Sequence, residues 1–308
     1  MLDYRSLTFL EVYRQRSYTQ AARALLITQP AVSHHIHFLE SYYGCSLFKK
    51  TSRGVEPTPA ADMLYGQIQA MRNDEDRMRS DIRELASNQN TCQCAPLIFG
   101  CTRTIADYVA PQLVTHHLER RPGSSVSLQT GNTRSLLHAL EEGRIDFALV
   151  EGSFDRSRFS FETLSRERYI AVGCARPQSS DAAANLQRPD SICSLFGYPL
   201  ILREAGSGTR EILQKHLAAR DLSTADFARV IELGSIPAIK ACVRAGQGIS
   251  FMYRTAVERE LANGELVDIT PLDFEIEHNF CLIWQRGSRY APRHRALCNE
   301  WRKVLAKE

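Results

Sequence analysis

The 308-residue sequence has no uninterrupted apolar run of the roughly 18 to 20 residues that a membrane-spanning helix needs. The opening stretch carries Asp3, Arg5, Glu11, Arg14, Arg16 and Arg23, so it lacks the apolar core of a secretory signal, and a cytoplasmic protein is expected. Catalytic signatures are missing too. There is no G-x-S-x-G elbow, no H-E-x-x-H, no phosphate-loop lysine and no G-x-G-x-x-G behind a strand. Asp146 and Glu151 flank one apolar strand, but no His or Cys partner is signalled beside them, so no enzyme is expected. The nine cysteines form an odd, irregularly spaced set, which argues against a disulfide framework. Cys92-Gln-Cys94, with Cys101 and His116-His117 downstream, fits no zinc-ligand spacing, and most other thiols lie in apolar runs such as KACV and CLIW. Neither a metal nor a cofactor is expected.

What is present is a soluble globular composition, 44% hydrophobic and 24% charged, in a chain long enough for about two domains. The net charge of +3 is small, but it is unevenly placed. Residues 1–58 hold Arg5, Arg14, Arg16, Arg23, Lys49, Lys50 and Arg53 against Asp3, Glu11, Glu40 and Glu56, which accounts for the whole excess. The first fifth of the chain is therefore the part suited to a polyanion.

Periodicity in that segment predicts three helices. Leu2, Leu7, Phe9, Leu10, Val12 and Tyr13 form one amphipathic stripe. Ser17 precedes a second helix in which Ala21-Ala22 allows a neighbour to approach closely. After a break at Leu26-Ile27, Thr28 serves as N-cap and Pro30 falls in the first turn of a third helix. Val32, Ile36 and Leu39 face inward along it, so Gln29, Ala31, Ser33, His34 and His37 point elsewhere. This is the helix-turn-helix plan, whose second helix enters the major groove. Phe48 to Val55, with Lys49, Lys50 and Arg53 around Gly54, reads as a wing suited to phosphates.

Ala21-Ala22, then Gln29-Pro30-Ala31-Val32-Ser33, Leu39-Glu40, Leu47-Phe48 and Arg53-Gly54-Val55-Glu56-Pro57-Thr58 make a pattern that resembles the LysR-type transcriptional regulators through the first 60 residues. The resemblance implies a winged helix-turn-helix domain over 1–59, a dimerisation and linker helix with hinge over 60–91, and an effector-binding domain over 92–308. Its implied DNA contacts are Tyr18, Thr19, Thr28, Gln29, Pro30, Ala31, Ser33, His34, His35, His37, Lys49, Lys50 and Arg53. Many relatives carry Arg on the recognition helix where this chain has His34 and His35, which lowers the fixed charge there. Operator DNA, a homodimer or homotetramer, and RNA polymerase are the implied macromolecular partners.

From Ala60 to Ser87 the apolar positions Leu64, Ile68, Met71, Met78, Ile82 and Leu85 recur at coiled-coil spacing, interrupted by Glu75. A stripe on so long and charged a helix predicts pairing with a second copy of itself. Past residue 95, short apolar strands alternate with helices, which predicts two α/β subdomains of parallel βαβ units separated by a cleft. Four strand-to-helix turns stand out: Cys101-Thr102-Arg103-Thr104, Gly131-Asn132-Thr133, Gly206-Ser207-Gly208-Thr209 and Gly234-Ser235. Helix N-termini converging on a crevice at the carboxyl ends of the strands favour an anion.

The candidate effector contacts are thus Thr102, Arg103, Thr104, Gly131, Asn132, Thr133, Ser207, Gly208, Thr209 and Ser235. Each hydroxyl or amide among them is equally a natural N-cap for its own helix. The run Arg203 to Arg210 resembles a segment of regulators of sulfur assimilation and carbon fixation, which implies a small anionic effector. The region has the pattern of type 2 periplasmic solute-binding folds, the fold of LysR-type effector domains. An effector-independent DNA binder is the alternative reading. A free-standing small-molecule receptor or an enzyme fits less well, because neither explains the first 60 residues.

Overall fold

The computed structural model describes residues 2–52, 54–87, 96–152, 154–175 and 188–306, with 80 and 83–87 described as backbone only. Cys92, Cys94 and Arg53 lie outside these residues, as does the side chain of Leu85.

The head is built on side-chain caps. Asp3, Ser17 and Thr28 each accept a backbone N–H at the start of α1 (Tyr4–Gln15), α2 (Tyr18–Ala24) and α3 (Gln29–Tyr43). Phe9, Val12, Ala21, Val32 and Ile36 are fully or almost fully buried where the three helices cross. Leu47, Phe48 and Val55, from the hairpin of β1 (Phe48–Thr51) and β2 (Gly54–Pro57), close that core. Gly54 is obligatory there: its φ is +136°, and a Cβ would stand 2.4 Å from the Arg16 carbonyl oxygen. The close approach lets Val55 N–H donate to that oxygen, which docks the wing on the end of α1. Glu40 fixes the other side. Its carboxylate accepts from the Leu47 and Phe48 N–H groups at 2.8 and 3.4 Å, tying the wing to α3.

Helix α4 (Pro59–Ser87) is continuous, as its composition predicts, but its stripe is divided. Ile68 is 4% exposed inside the head core and Leu64 packs on it, so these two seam positions serve their own chain. Tyr13 stacks on Tyr65 with centroids 3.9 Å apart and donates to Asp62, closing the same joint. Met71, Met78 and Ile82 remain largely exposed. The expected six-residue seam is therefore corrected: heptad spacing cannot tell a partner helix from the helix's own domain.

The middle of α4 also docks on the larger region through polar groups. Asn73 donates to the carbonyls of Leu140 and Glu141 and to the Gln285 side chain. Asp74 accepts from Ser288 and from Arg289 N–H, Tyr290 donates to Asp81, and Arg77 pairs with Asp146 beneath the Tyr290 ring.

The larger region holds β3 (Leu97–Thr102), α5 (Arg103–Tyr108), α6 (Ala110–Arg120), β4 (Val126–Gly131), α7 (Thr133–Glu141), β5 (Phe147–Val150) and β6 (Phe159–Cys174). Then follow β7 (Pro199–Leu202), α8 (Gly208–Ala218), β8 (Arg229–Glu232), α9 (Ile236–Arg244) and β9 (Ser250–Tyr253). The chain ends with α10 (Glu258–Ala262), β10 (Leu266–Asp268), β11 (Ile276–Gln285) and α11 (Ala291–Leu305). Strands β4, β3 and β5 are parallel, as are β7 and β8. The sheet as a whole is mixed rather than purely parallel, because β6, β11, β9 and β10 pair antiparallel. Between β3 and β4 the helical stretch is divided into α5 and α6, broken at Val109 before Pro111.

Strand β6 joins the subdomains. Its first part pairs with β11, from Phe159 opposite Gln285 to Tyr169 opposite Ile276, and its end pairs with β9 and β10. The register of β6 and β11 shifts between Phe280 and Cys281, where the two crossing strands pass between subdomains. One apolar cluster runs through the crossing, from Phe99, Phe147 and Trp301 past Tyr169 and Phe280 to Phe251 and Leu213. The segments that follow β3, β5 and β7 meet where the two subdomains touch.

Candidate DNA interface and effector cleft

In the head, Thr19, Thr28, Gln29, Pro30, Ser33, His34 and His37 are exposed along one side of the helix-turn-helix, as are Lys49 and Lys50 on the wing. Ala31 is half-buried. Two expected contacts turn inward. Tyr18 is half-buried with its ring edge-on to Phe48, and burial pushes its hydroxyl up to about 12. The His35 Nδ1 sits 2.9 Å from the Thr8 hydroxyl and its ring meets Tyr4, so this imidazole is a rivet between α1 and α3. Burial, followed by the nearby positive charges of His34 and Arg5, lowers its pKa and favours the neutral ring. The imidazole at this position therefore serves packing between helices, which periodicity alone does not reveal. His37 keeps a contact 3.4 Å from Glu40, the same carboxylate that holds the wing.

The four strand-to-helix turns of the larger region fall into two kinds. Asn132 and Ser235 are exposed and accept from Ser135 and Ala238 N–H, so they cap α7 and α9. Thr133 and Gly131 line the same turn, and Thr133 Oγ1 lies 2.7 Å from where a Cβ at Gly152 would stand. Arg103 reaches across to the Gly234 carbonyl at 3.1 Å, a hydrogen bond between the two subdomains.

The other two turns converge on a residue that motif reading passes over. Glu151, at the end of β5, is 5% exposed. Its Oε2 accepts from Thr102 at 2.8 Å, and its Oε1 accepts from Thr104 at 3.4 Å and from Thr209 at 3.5 Å. Thr102, Thr104, Ser207 and Thr209 are all buried, and Gly208 lies beside the Glu151 side chain, where a Cβ would stand in ordinary contact at 3.5 Å. Neither Thr102 nor Ser207 makes a side-chain cap to its own helix. Tyr169 seals the floor, donating to the carbonyls of Thr209 and Phe251. The Thr104 and Thr209 hydroxyls, from opposite subdomains, are 3.5 Å apart. Burial raises the Glu151 pKa, while the three hydroxyls and Arg203 pull it back. Arg203 is itself buried and engaged by Glu204 through two bonds of 2.7 and 2.8 Å.

The expected contacts are helix N-termini, hydroxyls and Arg103; the structure adds a buried carboxylate among those hydroxyls. A signal was available: an acid directly after the wholly apolar Phe147–Val150, at the strand end where a crevice ligand belongs.

Comparison with known proteins accounts for both halves. Residues 93–306 match the LysR substrate binding domain, and residues 6–62 match the bacterial regulatory helix-turn-helix protein, lysR family. A probable RuBisCO transcriptional regulator of Cyanidium caldarium is 28% identical over 254 residues, 80% of this chain and 76% of that protein. Full-length LysG of Corynebacterium glutamicum, solved with bound effector Arg, shares the fold with a TM-score of 0.64 at 18% identity, covering 98% of each chain. The regulatory domain of Synechocystis CcmR in complex with 2-PG superposes with a TM-score of 0.59 at 23% identity, covering 68% of this chain and 97% of that one. The wing, the linker helix and the two-subdomain cleft thus recur together, and the protein belongs to the LysR family of DNA-binding transcriptional regulators with an effector-binding domain.

Proposed function

We propose that the chain acts in the cytoplasm as a homodimer or homotetramer on operator DNA, and that a small oxyanionic effector in the cleft sets the angle between the subdomains. The observation that carries this reading is the contrast in burial: the α3 side chains and wing lysines stand free for a duplex, while the hydroxyl cluster is withdrawn for a small ligand. Gln29, Ser33 and His34 read base edges, with Thr28 and the wing residues Lys49, Lys50 and Arg53 on phosphates. The exposed part of the α4 stripe, Met71, Met78 and Ile82, pairs the chains, while Leu64 and Ile68 hold the head to its helix. The head over 1–59, the linker over 60–91 and the effector region over 92–308 act as three parts.

An effector shifts the hinge only if it binds the open and closed cleft with different affinity. Because α4 is clamped to the first subdomain by Asn73, Asp74 and Arg77, a hinge change is passed to the head and on to RNA polymerase at the promoter. The protein performs no chemistry on its ligand. Duplex retention at rising salt, sedimentation, and a thermal-shift screen of small metabolite anions test the three parts separately. A monomer with no salt-sensitive duplex retention overturns the DNA reading. A screen without any shift favours the effector-independent binder.

A further inference from the structure

We propose that Glu151 takes up a proton as the cleft receives its oxyanion, so that the effector meets a neutral carboxylic acid instead of a second negative charge. The proposal rests on the effector reading above and adds its proton stoichiometry.

The geometry sets the problem. The hydroxyls that suit an oxyanion, those of Thr102, Thr104 and Thr209, already donate to Glu151, and the uncapped start of α8 lies against the same side chain at Gly208. An ionised Glu151 and an anion would compete for one set of donors at close range and in a buried place. A protonated Glu151 changes sides: its O–H becomes a further donor, and the threonine hydroxyls are released to the ligand.

Among the described residues, Arg203, in the turn before α8, is a cation whose charge lowers the Glu151 pKa, but its hydrogen bonds go to Glu204 and not to Glu151. Cys101 on β3, Tyr169 on β6 and Tyr253 on β9 face the carboxylate, and burial holds all three in their neutral forms. Arg156, Arg166, Glu277 and His278 line an adjoining cavity of about 590 Å³ that Glu151 also borders. Of these, Arg166 pairs with Glu277, Arg156 lies over the Phe161 ring, and burial favours the neutral His278 imidazole. Among the described residues, none of these cations is hydrogen-bonded to Glu151.

The test is calorimetric titration of the full chain with inorganic sulfate, which stays a dianion from roughly pH 5.5 to 8, in two buffers of different ionisation enthalpy. The wild type should take up about one proton per sulfate, and its affinity should fall about tenfold per pH unit above the Glu151 pKa. Glu151→Gln should bind sulfate with no proton uptake and no pH dependence, while melting as a folded protein and retaining duplex DNA. Proton-free, pH-independent binding by the wild type overturns the proposal. So does failure of both proteins to bind sulfate, or a wild type that binds methylammonium in its place, which would make Glu151 the counter-ion of a cationic effector. The anion screen and duplex retention judge the underlying reading independently.

Discussion

Polar residues in the head and in the cleft are used in opposite ways. On α3 and the wing, Gln29, Ser33, His34, Lys49 and Lys50 stay in water, and the hydroxyls of Ser17 and Thr28 cap their own helices. In the larger region, Thr102 and Ser207 leave their helices without a side-chain cap, and Thr102, Thr104 and Thr209 turn together onto a buried carboxylate. A duplex is large and brings its own hydration, so it is read by groups that cost nothing to keep exposed. A small ligand has too few contacts for that, and its donors must be desolvated and preorganised to matter. The same residue types therefore signal different things according to whether the structure spends them on a cap.

The largest expected effect that sharpens the contrast is Ile36→Ala in the head. Removing a buried side chain from α3 should cost about 2–5 kcal/mol, seen in denaturation of the head together with loss of duplex binding. Comparable damage to the effector response in the intact fold would break the separation. Next is Thr102→Val, which removes a hydroxyl from a buried carboxylate and should cost about 1–3 kcal/mol near neutral pH. It should also abolish the effector response, alongside Ser207→Ala, while leaving DNA affinity intact. An unchanged response in both variants would move the effector site elsewhere.

The pH profile of stability follows from Glu151. Its folded-state pKa is raised above the usual 4.5, so the native state gains fully from its proton below that value and loses the gain as pH climbs through the raised pKa. Glu151→Gln should therefore gain on the wild type with rising pH in chemical denaturation, and a constant difference would contradict the burial assigned to this carboxylate. The smallest effects belong to the exposed face. Ser33→Ala should lower discrimination between operator and random duplex by about 1 kcal/mol with stability unchanged. Lys49→Ala should weaken both duplexes alike and reduce the salt slope by about one. Equal losses on both duplexes for Ser33→Ala would reverse the roles given to helix and wing.

Much of the head was legible because its signals are local. An N-cap, a proline in the first turn and an i, i+4, i+7 stripe each act within a few residues, and α2, α3 and the wing lie where they point. His35 escaped the same reading because its partner, Thr8, is 27 positions away on another helix. Leu64 and Ile68 were assigned to a partner chain because a heptad stripe records only that a face is covered. The clamp of Asn73, Asp74 and Arg77 was invisible for the opposite reason: charged and amide groups on a long helix look solvated until the segment they meet, as far off as Arg289, is folded against them.

The sequence by itself determined the order of helices, wing, linker and alternating strands, the excess positive charge of the head, and the turns at which a crevice ligand belongs. All of these follow from periodicity, capping and charge, which operate over a turn or two of chain. Only the tertiary structure decided which turns cap a helix by side chain and which gather on Glu151, and which half of the linker stripe is covered by its own domain. Those outcomes depend on desolvation, and a side chain is desolvated by neighbours that folding brings from elsewhere in the chain.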